Sequence, residues 1–200
     1  ALSPDDSSML VGHKNGQVAL WDLASRKIVY TVKNLHACSV ISVAFCRPSW
    51  QFALSADASG SVYFLTFRST FSGRDCTRQL LIESSSNIGI TLRILPLPQI
   101  LQANHPLDPR CVVALCATNA TVLLTLHPSV CLVRKMPYHA KDAAAQSWTP
   151  DAAWLRAEDA VQARTIDPQL AIVFGQTIHI MRVSLQTNTE SQKEEVTVSV

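Results

Sequence analysis

A strand that is apolar on both faces has to be covered on both faces, and this requirement constrains the chain more than any other feature. In the stretch KNGQVALWDLASRK, residues 14–27, the run after Asn15-Gly16 places Val18 and Leu20 on one side and Ala19 and Trp21 on the other. Asn15-Gly16 is a hairpin signal, read as a two-residue type I′ turn with both residues at positive φ. Met9-Leu10-Val11 supplies the strand before it, and polar Ala24–Lys27 turns into a third strand, Ile28–Val32. Three short antiparallel strands buried on both sides describe most of a propeller blade held between neighbours.

The same spelling returns. Val40–Phe45 reads as a strand, Arg47–Trp50 as a turn, Gln51–Asp57 as a strand, Ala58-Ser59-Gly60 as a turn and Ser61–Phe67 as a strand. Gly16 and Gly60 are 44 residues apart, within the range of propeller repeats. A looser copy runs Cys111–Ala117, a turn at Thr118-Asn119-Ala120, then Thr121–Leu126; another runs Gln169–Phe174, Gly175-Gln176, then Thr177–Val183. The fold expected is all-β, a propeller segment of about three and a half antiparallel blades spanning roughly 1–33, 36–83, 88–138 and 150–200. The chain opens at Ala1 in a turn-like Ser3-Pro4-Asp5-Asp6, without an initiator Met or signal peptide, and is read as a piece of a longer polypeptide. So few blades cannot close a ring, which leaves sheet edges and an apolar face to be covered.

One stretch reads differently. KDAAAQSWTPDAAWLRAEDAVQAR, residues 141–164, is rich in Ala and poor in β-branched residues. Thr149 as cap, Pro150 at the first position and Asp151 in the first turn, with Trp154, Ala157 and Val161 on one face, predict a short helical insertion within 142–164. The competing assignment makes Trp154–Val161 the inner strand of the last blade.

Composition narrows the functional classes. Hydrophobic residues make up 48% and charged residues 16%, with a formal charge of +2, so neither disorder nor a nucleic-acid partner is expected. Cys111–Leu126 is too short and too interrupted to span a membrane as a helix. Cysteines at 38, 46, 76, 111, 116 and 131 form no C-x-x-C pair and read as reduced thiols of a cytosolic protein. Cys111 and Cys116 fall on opposite strand faces. Asn119-Ala120-Thr121 matches a glycosylation acceptor by chance.

No catalytic constellation is legible. There is no G-x-S-x-G elbow and no phosphate-cradling glycine loop. His105, Cys111, Cys116, His127 and Cys131 lack metal-pair spacing, and Asp5-Asp6 and Glu194-Glu195 read as solvated charge. No catalytic residue, metal or cofactor is assigned, and His13 reads as a surface polar residue. Recognition falls to loops. Candidate contact surfaces are the turns 13–16, 47–50 and 57–60 and the loops 68–79 and 99–110, above all Arg68, Arg74 and Arg78 around Phe71.

GQVALWDL, with His36 ahead of VISVAF, resembles a WD-repeat pair. In that family a His before the inner strand and an Asp in a turn are hydrogen-bonded to a strand hydroxyl and the Trp. The resemblance implies structural blade positions at Gly16, Trp21, Asp22, His36, Asp57 and Gly60, with Trp21 packed between blades; Leu65-Thr66 stands where the second Trp-Asp would be, so a full tetrad is not expected. GQVALWDLASRKIVYTV, SVISVAF and ALSADASGSVYFLTFRSTFSGRDC, in this order, resemble the vacuolar protein sorting-associated protein 8 family of CORVET tethering subunits, best over 10–83, with DPQLAIVFGQTIHIMRV fitting a later blade. That resemblance implies a non-enzymatic scaffold in endosomal protein transport and membrane fusion. Its implied partners are an early-endosomal Rab GTPase and the other tether subunits; its implied location is cytoplasmic, on endosomal membranes, held there through partners. The alternatives are a WD-repeat adaptor of another complex and a non-catalytic flank of an enzyme.

Overall fold

The computed structural model describes residues 1–46, 51–71, 73–98, 107, 110–138, 149–155, 167–188 and 193–199. They form four antiparallel sheets, each built in chain order. The first contains β1 (Ser8–Gly12), β2 (Val18–Asp22) and β3 (Lys27–Val32). The second contains β4 (Val40–Cys46), β5 (Phe52–Asp57), β6 (Val62–Thr70) and β7 (Gly73–Ile82). The third contains β8 (Thr91–Pro96), β9 (Val112–Ala117), β10 (Ala120–Thr125) and β11 (Cys131–Pro137). The fourth contains β12 (Asp151–Leu155), β13 (Gln169–Phe174), β14 (Thr177–Asn188) and β15 (Lys193–Ser199). The first sheet lacks a full fourth strand, but Ala1–Ser3 lies along β1: Leu2 bridges Met9, and the Ser3 amide donates to the Ser8 carbonyl at 2.9 Å.

The sheets stack face on face, as strands apolar on both sides require. Three cores result. Leu10, Val18, Leu20 and Val32 of the first sheet meet Phe45, Ala53, Leu65 and Phe67 of the second. Leu54, Ala56 and Val62 on the second sheet's other side meet Val113, Leu115, Val122 and Leu124 of the third. Ala114, Cys116 and Leu123 then meet Leu170, Ile172, Met181 and Val183 of the fourth. Each fully buried Leu or Ile contributes about 1.5–3 kcal/mol relative to exposure. On the fourth sheet's far side the pattern continues without a cover among the described residues. Val173, Ile178 and Ile180 occupy the positions that Cys116, Thr121 and Leu123 fill in the third sheet, yet they are 40%, 67% and 49% exposed.

Three local expectations are corrected. The Asn15-Gly16 hairpin is not a two-residue type I′ turn. The His13 amide donates to the Gln17 carbonyl at 2.9 Å and the Gly16 amide to the His13 carbonyl at 3.1 Å, and only Gly16 has positive φ, at 80°. This is a three-residue loop closed by a left-handed glycine; the bulge presents the Gly16 carbonyl to the His36 amide at 3.2 Å. Asp57–Ser61 repeats it around Gly60, at φ 97°. Second, the expected helix is absent at Asp151–Leu155, which pairs with β13 as an inner strand. Tertiary pairing overrides local helix propensity there, and Ala152 packs into the core. The strand starts three residues earlier than the competing assignment placed it, and 142–148 and 156–164 lie outside the described residues. Third, 68–79 is not a loop. β6 runs on to Thr70 and returns as β7, with Arg68 opposite Asp75 and Leu65 opposite Arg78. An outermost strand packs along one flank only, so polar residues are tolerated and its strand signal is weak.

Candidate functional site

The second sheet holds a buried polar cluster. His36 arrives on the link from the first sheet and is wedged between the two sheets, its side chain fully buried. Its Nδ1 lies 2.9 Å from Asp57 Oδ2 and its Nε2 2.9 Å from Ser55 Oγ. A carboxylate only accepts, so Nδ1–H donates to Asp57 and Nε2 accepts from the Ser55 hydroxyl in the neutral ring. Asp57 Oδ1 closes the following turn, accepting from the Ser59 amide at 2.9 Å, the Ser59 hydroxyl at 2.7 Å and the Ser61 amide at 3.0 Å. The Tyr63 ring stands edge-on to the imidazole, 5.0 Å between centroids. Burial lowers the His36 pKa, outweighing the bond and charge of Asp57 that raise it. Burial pushes Asp57 up, but the bonds from Ser59, Ser61 and His36 prevail and hold it below the usual carboxylate range. The cluster is therefore a neutral imidazole donating to a carboxylate: a structural lock with no open position for a reacting group.

Gly16 and Gly60 serve this lock through the backbone. A Cβ on Gly16 would lie 2.2 Å from the His36 carbonyl oxygen, and one on Gly60 3.1 Å from that of Gly89. Both sit at positive φ, where side chains are strained.

Trp21 and Asp22 are not joined to a histidine. Trp21 is half-buried on the side of the first sheet turned away from the second, and its Nε1 is buried with no partner. Asp22 is exposed and accepts from the Ser25 amide at 2.9 Å and from the Ser25 hydroxyl. These bonds, and more weakly the charge of Arg74, lower its pKa.

The projecting β6–β7 hairpin separates the four residues assigned as a partner loop. Phe71 stands at its tip, fully exposed, and Arg68 sits opposite Asp75 on the arm. Arg74 Nη1 donates to Ser69 Oγ at 3.0 Å. Arg78 is exposed yet tied down: its Nη1 donates to the Asn34 and Lys33 carbonyls at 3.1 and 3.4 Å, strapping the arm to the end of the first sheet. Turn 47–50, His105 and most of 99–110 lie outside the described residues, while His13, on the turn 13–16, is exposed.

Sequence reasoning missed Ser55, Tyr63 and the strap made by Arg78. Ser55 had a signal: a hydroxyl in the apolar run Phe52–Ala56, two residues before Asp57 and on its face. The strap had none, because its acceptors are backbone carbonyls.

Among the described residues no group of three or more His, Cys, Asp or Glu is arranged to hold a metal. All six cysteines are free thiols. Cys111 joins the core between the second and third sheets and Cys116 the core between the third and fourth, on opposite faces. Burial pushes Cys76 up to about 12 and Cys111 to about 11, which keeps them protonated and unreactive at neutral pH. No helix among the described residues is long and apolar enough to cross a membrane.

A family model described as the Vps8 β-propeller matches residues 1–200. The human vacuolar protein sorting-associated protein 8 homolog is 28% identical over 188 residues, covering 92% of this chain and 12% of its own length. The Drosophila melanogaster homolog is 27% identical over 179 residues, covering 88% and 14%. The chain thus spans about an eighth of the relatives it matches. Among solved structures, Sqt1 from Chaetomium thermophilum aligns over 84% of this chain and 36% of its own, with a TM-score of 0.55 and 19% identity. The Myceliophteria thermophila Cps50 (Swd1) β-propeller domain aligns over 98% and 62%, with a TM-score of 0.51 and 11% identity. Both support the propeller fold.

Proposed function

The chain belongs to the Vps8 β-propeller family, and on that premise we propose that it serves as a non-enzymatic scaffold, part of the propeller of an endosomal vesicle-tethering subunit. In this reading it acts in endosomal and vacuolar protein transport, binding an early-endosomal Rab GTPase and other tether subunits ahead of membrane fusion. It is peripheral on endosomal membranes, held there through those partners. The observation that carries the reading is the family match along the whole chain. The geometry is compatible with it: strands shield strands, the buried polar cluster is a lock, and side chains available for recognition stand on turns and on the β6–β7 arm. Phe71 and Arg68 are the arm's outward contacts; Arg78 positions the arm.

The test is capture of the full-length protein by an early-endosomal Rab loaded with GTP or with GDP. GTP-dependent capture is expected, and Phe71→Ser is expected to weaken capture of tether subunits or Rab without altering the melting temperature. Equal capture of both nucleotide forms sinks the Rab claim.

A further inference from the structure

The β6–β7 hairpin outruns its sheet. β5 pairs with β6 only as far as Phe52 opposite Thr66, after which the Phe67 amide donates to the Gln51 carbonyl at 2.7 Å. Beyond that point Arg68–Asp75, Ser69–Arg74 and Thr70–Gly73 pair only with each other among the described residues. The ribbon so formed reaches roughly 10 Å past the sheet, at about 3.4 Å per residue. A bare two-stranded ribbon is marginal in water, and this one is braced. At its base the Tyr30 ring meets Phe67 edge-on at 6.4 Å, Cys76 packs against the core between the first and second sheets, and Arg78 holds the Lys33 and Asn34 carbonyls. Along its length Arg74 Nη1 donates to Ser69 Oγ at 3.0 Å and Thr70 Oγ1 to the Gly73 carbonyl at 3.1 Å. What the bracing holds out is Phe71, the most exposed large apolar side chain among the described residues.

Arg68 is the arm's uncommitted charge. It stands opposite Asp75, whose Oδ1 accepts from the Cys76 amide at 2.8 Å, and among the described residues it makes no hydrogen bond or ion pair of its own. Arg74 and Arg78, by contrast, are tied down. A projection that carries an aromatic ring near a free guanidinium has the residue types that concentrate at protein–protein contacts. Its stiffness removes the ordering cost that a loose loop incurs on binding. A lipid surface calls instead for clustered cations, and here Asp75 across from Arg68 and Asp22 near Arg74 dilute the positive charge.

We propose that the arm is a preformed knob for one folded protein partner: Phe71 enters an apolar socket, and Arg68 meets a carboxylate at the socket's rim. A planar guanidinium and a carboxylate join in two parallel bonds, so the rim acid fixes the angle at which the knob enters. The inference rests on the tethering reading and adds to it the chemistry of the surface that receives the arm.

The test uses the full-length protein in its purified tethering complex, with the photo-crosslinker p-benzoylphenylalanine in place of Phe71. Irradiation is expected to join it to one site on another protein of the complex, an apolar depression with an Asp or Glu at its edge. Arg68→Glu is expected to cut the yield at least about tenfold. Changing the mapped acid to Arg is expected to restore it, a rescue that a merely misfolded variant would not give. Arg134→Glu, on an exposed part of β11, is expected to leave the yield unchanged. Crosslinks confined to this chain, to a second copy of it or to lipid, a socket with no acid at its edge, an unchanged yield with Arg68→Glu, or no crosslink at all overturns the proposal. The tethering reading survives each of these results as long as the other subunits still co-purify; if none co-purifies, both fail.

Discussion

The first and second sheets are two drafts of one hairpin, and each carries what the other lacks. Counted from Gly16, the first sheet has Val11, His13 and Trp21; counted from Gly60, the second has Ser55, Asp57 and Leu65 at the same offsets. The second sheet therefore has the hydroxyl and the carboxylate that clasp His36 but no indole. The first has the indole but no hydroxyl, and the Trp21 N–H is buried without a partner. The turn geometry is the same in both, so the glycine loop does not depend on the polar lock. Repeats of this kind keep their backbone through the glycine and the apolar alternation, while the polar clasp is dispensable blade by blade.

The contrast can be broken most forcefully at the two histidines. His36→Ala strips Asp57 Oδ2 of its donor and the Ser55 hydroxyl of its acceptor and leaves a cavity between the sheets, and is expected to cost about 3–5 kcal/mol in urea unfolding of the complete propeller. His13→Ala, on an exposed turn, is expected to stay within about 0.5 kcal/mol. Equal effects would remove the distinction between the sheets. At the glycines, Gly16→Ala combines positive φ with a Cβ 2.2 Å from a carbonyl oxygen and is expected to cost about 2–4 kcal/mol. Gly60→Ala, at 3.1 Å, is expected to cost about 1–2 kcal/mol.

Acid sharpens the comparison further. The folded state lowers the pKa of His36, so in the window just below about 6.5 the unfolded chain binds the extra proton and stability falls as pH falls. Asp57, also lowered, adds a second loss as pH drops below the ordinary carboxylate value. Melting temperature against pH should show the first loss in the native protein and not in His36→Gln; a flat native profile between pH 7 and 5 would contradict the neutral-imidazole assignment. The smallest effect concerns Trp21. Val11→Thr places a hydroxyl where Ser55 stands in the second sheet and is expected to stabilise by about 0.5–1 kcal/mol if the indole N–H takes it. A net loss would show that the two offsets are not equivalent in space.

The fold was legible wherever apolar residues alternate on both faces of a strand beside a glycine turn. Val18–Asp22, Phe52–Asp57 and Gln169–Phe174 are the clearest cases. It was illegible where pairing partners, not local preference, decide the conformation. Asp151–Leu155 is Ala-rich and preceded by helix-start signals, yet β13 recruits it as a strand. β7 is too polar to announce itself, and its partner β6 is what makes it a strand. Within the site, His36 and Asp57 were readable through the resemblance to WD repeats, whereas the bonds that tie Arg78 to the first sheet were not, because arginine is generic and its carbonyl acceptors leave no mark in a sequence.

The uncovered side of the fourth sheet has a consequence for biosynthesis. As the polypeptide emerges from the ribosome, each new sheet conceals the oily flank of its predecessor while presenting its own, as Ile178 and Ile180 do here. A nascent chain of this design is adhesive at every intermediate length. Its demand on chaperones lasts as long as that flank is bare.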